Sequence, residues 1–338
     1  MEIREAIARV VAGRALTEPE MESVIRQVMA GAATPAQIGG LLVALRMKGE
    51  TVGEITGAVR ALRATAVSIR PRAEVIVDTC GTGGDASGTF NISTAAAFIA
   101  AGAGVSIAKH GNRAMSGRVG GADVLEALGV RIDLPPERVA DCIDQVGIGF
   151  LFAQTFHPAM KHAAGPRREL GVRTIFNLLG PLSNPAGARR QVIGVFSAQW
   201  TEPLAEVLLK LGSAHCLVVH GEDGLDEISL TAATRISELR AGQVRTYRLT
   251  PEELGLRRCS LADIQGGTPA EASAMVRAVV QGDADSARSG IALLNAAAAI
   301  YVGGRGGSMV ECLATARASV SSGAAARKLA DLVEATSR

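Results

Sequence analysis

The sequence predicts an α/β protein with a small N-terminal all-helical domain and a larger domain with a mostly parallel central sheet flanked by helices. Three observations carry that expectation. Residues 1–70 carry apolar faces at helical spacing with no β-rich run among them. From Glu74 onward, short β-branched runs alternate with Ala-rich stretches, the pattern of parallel strands joined by crossover helices. The chain has 338 residues, above the usual size of one domain, so a small and a large unit is the natural division.

In the helical part, Ile3, Ala6, Ile7, Val10 and Val11 recur at helical spacing. Thr17-Glu18-Pro19-Glu20 and Thr34-Pro35-Ala36-Gln37 are helix starts with proline near the first turn, opening segments expected at 20–31 and 35–48, with another at 51–66. Ile38, Leu41, Leu42 and Leu45 form one apolar face. This part is expected to serve packing and dimer contact rather than chemistry. Beyond it, strands are expected at 75–78, 104–108, 192–196, 215–220 and 244–248. Helices are expected near 93–102, 122–128, 136–145, 201–211, 269–280 and 285–302. The segment 157–185 breaks the alternation, with a helix over 158–170 followed by RTIFNLLGPLSNP. The GGRGG run at 303–307 follows a long helix with no strand before it and reads as a helix stop.

Composition narrows the function classes. Hydrophobic residues make up 48% and charged residues 20%, enough for a sizeable core, while aromatics at 3% are too few for a base-stacking platform. The formal net charge is +2 with no basic run, so no nucleic-acid partner is expected. The five cysteines, Cys80, Cys142, Cys216, Cys259 and Cys312, are odd in number and form no C-x-x-C pair, which suits reduced thiols in a cytoplasmic protein. The N-terminal MEIREAIARVV has no apolar signal region, and the longest nearly apolar run, 95–108, is too short to span a bilayer, so no membrane partner is expected. His157 and His162, five apart, offer no metal-ligand spacing and read as core or surface residues.

The chemistry concentrates between Asp78 and Asp123, DTCGTGGDASGTFNISTAAAFIAAGAGVSIAKHGNRAMSGRVGGAD. Its apolar runs place two polar loops side by side at the ends of parallel strands. Gly81, Gly83 and Gly84 can adopt backbone angles that turn successive N–H groups toward one anion. Asn91, Ser93 and Thr94 fall where an Ala-rich helix begins, and free N–H groups there favour phosphate. Lys109 and Arg113, with donors from His110 and Asn112, would add charge from the second loop. A polyphosphate cradle follows, although an ordinary Gly-rich turn is a common alternative. Neither a G-x-x-x-x-G-K-[ST] run nor a dinucleotide G-x-G-x-x-G fingerprint is present, so the cradle is of another kind. Arg167 and Arg168, just after a Gly-Pro step, can present a bidentate fork to a carboxylate, whereas a solvated helix face would have no special aim. Asp226 and Glu227 follow a strand-like run and could equally be an exposed turn or two ligands of a hard cation.

The combination DTCGTGGD, FNIST, KHGNR and GGADVLEALGV resembles the anthranilate phosphoribosyltransferase family, relatives of the pyrimidine nucleoside phosphorylases. The resemblance runs on through 150–185 and through VVHGEDGLDEIS at 218–229. It implies transfer of a phosphoribosyl group from phosphoribosyl pyrophosphate (PRPP) to the amino group of anthranilate. It implies a helical domain of residues 1–70 completed by about 165–188, an α/β domain of 71–164 and 189–338, and a homodimer through the helical domain. For PRPP it implies Gly81, Gly84, Asp85 and Thr89, then Asn91, Ile92, Ser93 and Thr94 at the helix start, with Lys109 and Gly121. For anthranilate it implies Gly81, His110, Asn112 and Arg167. Magnesium, as two ions, is implied at Ser93, Asp226 and Glu227, with Glu222 and Asp223 outside that role.

One departure stands out. Family members commonly carry SSKSGSAD after KHGNR, whereas this chain reads SGRVGGAD at 116–123. Gly117, Val119 and Gly121 replace hydroxyl residues, so donors to the ribose 5-phosphate must come from backbone N–H groups or Arg118. Two alternatives remain at this level. A pyrimidine nucleoside phosphorylase would share the fold, but its lysine-serine-glycine signature is not visible. A non-catalytic nucleic-acid binder would need a broad basic face.

Overall fold

The computed structural model describes residues 1–84, 87–114 and 119–338. The chain opens with four helices, α1 (Ile3–Val11), α2 (Glu18–Met29), α3 (Pro35–Lys48) and α4 (Val52–Thr65). β1 (Ile76–Gly81), α5 (Ile92–Gly102), β2 (Ser106–Gly111), α6 (Gly121–Ala127), α7 (Pro136–Val146) and β3 (Ile148–Phe152) follow. Next come α8 (Ala153–Phe156), α9 (Lys161–Leu170), α10 (Phe176–Leu182), β4 (Arg190–Gly194), α11 (Thr201–Lys210) and β5 (His215–Gly221). The hairpin β6 (Thr234–Arg240) and β7 (Gln243–Leu249) precedes four closing helices, α12 (Pro269–Gln281), α13 (Ser286–Val302), α14 (Met309–Ser321) and α15 (Ala324–Ser337).

The strands form one sheet in the order β3-β2-β1-β4-β5-β6-β7, parallel through β5 and antiparallel at the last two steps. Its two faces feed two hydrophobic cores. Along β4, Val192 joins one core and Ile193 the other; along β5, Leu217 and Val219 oppose Cys216 and Val218. That is the period-two alternation of a sheet covered on both sides. On one face α5 is buried nearly all round and packs on α13 and α15. The approach is close because small residues line it: a Cβ on Gly102 would lie 2.7 Å from the Ala325 N of α15 and 2.3 Å from Oγ of Ser319 on α14, which donates to the Ile99 carbonyl at 2.8 Å. On the other face, α11 covers the sheet and meets α4.

The helical part is built from its caps. Thr34 and Gln37 exchange backbone and side-chain bonds at the start of α3, and Thr51 and Glu54 do so at α4. The Glu54 carboxylate is fully buried; it accepts the Leu16 N–H at 3.0 Å and pairs with Lys48 at 2.9 Å. One side chain thus ties three segments together.

Several boundaries differ from the sequence expectation. β1 and β2 run to Gly81 and Gly111, past the apolar runs at 75–78 and 104–108. Lys109 and His110, expected in a loop, are instead in β2 and are 4% and 7% exposed. The sequence pattern announces neither β3 and β6 nor α14 and α15. β3 (IGFLF) is buried at every residue and so has no alternation to read, while β6 carries Arg235, Glu238 and Arg240 as an outer antiparallel strand. The stretch after 170 contains α10, whose apolar face closes on α4.

Candidate active site

Polar residues gather where the central strands end. β1 pairs with β2 only at Ile76↔Ser106 and Val77↔Ile107; β1 then continues along β4 to Gly81↔Gly194, and β2 along β3 to Gly111↔Phe152. In the opening between them Lys109 Nζ donates to the Thr79 carbonyl at 2.7 Å and to Ser93 Oγ at 3.0 Å. The fully buried Asp78 carboxylate accepts the His110 N–H at 3.0 Å. Burial pushes Asp78 up and Lys109 down from their ordinary values, and their mutual attraction opposes both shifts. The Glu227 charge acts on Lys109 as well, in the same sense as Asp78.

The glycine loop folds over the turn that follows β5. Gly83 and Gly84 take φ of 63° and 77°, the left-handed region that favours glycine. The Gly83 N–H donates to Asp226 Oδ2 at 2.9 Å. A Cβ on Gly194 would lie 1.5 Å from the Asp226 carbonyl oxygen, and one on Gly81 2.7 Å from Asp226 Oδ2, so glycine at both positions is what lets Asp226 approach. Arg173 stacks on Phe196 at 4.3 Å and donates to the Gly84 carbonyl, and the Phe196 N–H donates to Thr82 Oγ1 at 3.0 Å. Asp85 lies outside the described residues, as do Ser116, Gly117 and Arg118 of the departing loop.

At the start of α5, Asn91 caps the helix by accepting the Thr94 N–H at 3.1 Å. Ile92 turns its side chain into the core and gives its N–H to the Phe90 carbonyl, so it supports the turn from behind. Thr94 Oγ1 is buried with no hydrogen-bond partner among the described residues, and a Cβ on Gly121 would lie 3.8 Å from it. A buried hydroxyl near Lys109 with no partner among the described residues fits a donor to an anionic ligand. Thr89 forms an antiparallel bridge with Gln265, and the Phe90 N–H donates to the Ile264 carbonyl at 3.1 Å. Arg113 corrects the sequence reading: its guanidinium is engaged by Asp123 and Glu126 and lies over the Phe152 ring, so it braces the loop base instead of adding charge to the cradle.

On the far side of β2, the His110 ring lies 5.0 Å from that of His157, and Nε2 of each is buried without a partner among the described residues. Burial holds His110 down to about 3, with His157 adding to the effect, and burial holds His157 down to about 4. Both imidazoles are therefore neutral at neutral pH. Asn112 is exposed just beyond the strand, where its Oδ1 accepts the Arg113 N–H at 2.9 Å. Arg167 is half-buried on α9 over the Phe176 ring at 5.2 Å, and no carboxylate pairs with it among the described residues. Burial lowers its pKa from the ordinary value.

The donor set suits one kind of metal. Among the described residues no group of three or more His, Cys, Asp or Glu side chains forms a closed cage. Asp226, Glu227 and the Ser93 hydroxyl instead offer a few hard oxygens near an anion cradle, the pattern of magnesium shared with substrate phosphates. Asp223 is occupied by Ser229 and Thr231, and Glu222 by Arg248. Sequence reasoning missed Asp78, Gly194, Arg173 and the role of His157 as neighbour to His110. Only Gly194, a glycine inside a strand pattern, left a signal.

This fold and site define a class. The chain matches the glycosyl transferase family a/b domain over residues 73–326 and the helical bundle domain of the same family over residues 4–66. The anthranilate phosphoribosyltransferase of Thioalkalivibrio sulfidiphilus is 56% identical over 336 residues, covering 99% of this chain and 99% of its own. The crystal structure of the Thermus thermophilus enzyme superposes with a TM-score of 0.93 at 46% identity, covering 98% of this chain and 99% of that one. The Saccharomyces cerevisiae enzyme in complex with PRPP and Mg gives a TM-score of 0.90 at 25% identity, covering 99% and 98%. The chain belongs to the anthranilate phosphoribosyltransferase family.

Proposed function

We propose that this enzyme transfers the phosphoribosyl group of 5-phosphoribosyl 1-pyrophosphate to the amino group of anthranilate, giving N-(5-phosphoribosyl)anthranilate and pyrophosphate in tryptophan biosynthesis. The observation that carries the reading is the meeting of Lys109, Ser93, the glycine loop and the acid pair at one opening of the sheet, with a neutral histidine pair across β2. Gly81, Gly84, Asp85, Thr89, Asn91, Ser93, Thr94, Lys109 and Gly121 bind the sugar donor, with Ile92 shaping the turn. Gly81, His110, Asn112 and Arg167 face anthranilate.

The chemistry asks little acid–base work of the protein. Displacement at an anomeric carbon passes through a cation-like transition state while the leaving pyrophosphate gathers charge. An aromatic amine is neutral at pH 7 and attacks without a strong base. The residues act by position and field: Lys109 meets the developing charge, Thr94 offers its buried hydroxyl, and Arg167 orients the carboxylate of the acceptor. Neutral His110 leaves the amine's lone pair free. Ser93, Asp226 and Glu227 would hold two magnesium ions, which when bound neutralise the pyrophosphate.

The segment 165–188 completes the helical domain in this reading, supported by α9 against α2 and α3 and by α10 against α4. A cytoplasmic location is supported by five free cysteines. Among the described residues no helix is long and apolar enough to cross a membrane. The test is loss of anthranilate fluorescence on mixing enzyme, anthranilate, PRPP and magnesium. Loss that requires the donor and stops with EDTA is expected; no loss from folded protein would overturn the reading.

A further inference from the structure

The ladder between β1 and β2 ends at Val77↔Ile107, yet both strands continue beside their outer neighbours. Strands that part inside a protein leave backbone donors and acceptors facing the gap, and each needs a partner. Here side chains supply them. Asp78 Oδ1 takes the His110 N–H at 3.0 Å, and Lys109 Nζ reaches the Thr79 carbonyl at 2.7 Å. The second Asp78 oxygen lies 3.5 Å from Gln191 Nε2, itself fixed to the Pro181 carbonyl at 2.8 Å, and both side chains are fully buried.

A carboxylate out of water is costly to keep, and Asp78 holds none of the substrate or metal roles assigned above. Its target explains its presence. The N–H it binds belongs to the peptide unit joining Lys109 to His110. Consecutive residues of a strand point to opposite faces, so this one peptide carries the ammonium toward Ser93 and the imidazole toward His157. Turning that peptide would move both side chains at once.

We propose that Asp78 is a positioning residue for the transfer reaction: by replacing the ladder between the parted ends of β1 and β2, it fixes Lys109 and His110 relative to each other and so registers the two substrates. The inference rests on the assignment of Lys109 to the sugar donor and His110 to anthranilate. Wild-type turnover tests that assignment separately, since failure there sinks the functional reading, whereas normal wild-type turnover with indifferent variants sinks only the role of Asp78.

The experiment compares Asp78→Ala, which removes the acceptor, with Asp78→Asn, which keeps an oxygen of the same reach. kcat, the KM for each substrate and Tm are measured for each. Asp78→Ala is expected to raise both KM values together by about tenfold or more, and Asp78→Asn to return the anthranilate KM to within about threefold of wild type. A purely structural role would lower Tm and the active fraction while leaving both KM values in place. Folded Asp78→Ala enzyme with both KM values unchanged overturns the proposal, as does Asp78→Asn shifting the anthranilate KM as far as Asp78→Ala. Should Asp78→Ala fail to fold, Asp78→Glu, which keeps the charge but displaces the oxygens by one carbon, takes its place. It is expected to raise both KM values, and unchanged values overturn the proposal.

Discussion

Arg167 shows how much one side chain can reveal about specificity. It is half-buried, lies over Phe176, and has lost water without gaining a carboxylate from the described residues. A partly desolvated guanidinium without an internal counter-charge is poised for an external one, and a fork of donors matches a carboxylate better than an ammonium could. Replacing Arg167 with alanine should therefore raise the KM for anthranilate by roughly ten- to hundredfold, the worth of a charge-assisted hydrogen bond, with little change for PRPP. Steady-state kinetics with each substrate varied in turn measures this. An equal effect on both constants would place Arg167 elsewhere in the mechanism. Arg113 is the contrasting case, since Asp123 and Glu126 already pair with its guanidinium.

At the scale of elements, β2 joins the chemistry to stability. Its His110 and the residue after α8, His157, are both held neutral by burial, down to about 3 and about 4 against an ordinary value of 6.5. The unfolded chain binds protons on these groups more readily than the folded chain does. Their contribution to stability is thus fully present above about pH 6.5, declines as pH falls below that value, and is fully lost once pH has passed about 4 for His157 and about 3 for His110, at up to ~1.4 kcal/mol per histidine per pH unit. Thermal melts between pH 7 and 4 should show Tm falling across this window, and His157→Gln should flatten the fall; a variant as acid-sensitive as wild type would refute the assignment. The same strand shows what sequence could reveal. The glycine-loop turn, the Asn91 cap and the Thr17 and Thr34 helix starts were legible because each depends on local backbone chemistry. The ends of β1 and β2 were not, because Asp78, Lys109 and His110 are polar residues whose partners lie on other strands and helices. β3 was missed for the opposite reason, being buried on both faces and so lacking a period.

For the whole molecule, the sheet stands between two cores, and the helical part shares the second with β4, β5 and α11. That leaves the outer side of the helices to be accounted for. Val11 at the end of α1 is 71% exposed and Met47 near the end of α3 is 83% exposed, and α1 packs on α3. Single exposed apolar residues are ordinary, but a pair on adjoining helices, in a part that carries little of the site, suits burial against a second copy. A homodimer through the helical domain should bury on the order of 800 Å² per partner. Light scattering coupled to size exclusion is expected to give twice the chain mass. Changing both Val11 and Met47 to glutamate should shift it toward the monomer, because two uncompensated charges would have to be buried at a symmetric contact twice over. A wild-type monomer would remove the dimer, whereas a stable dimer of the double variant would move the interface away from α1 and α3.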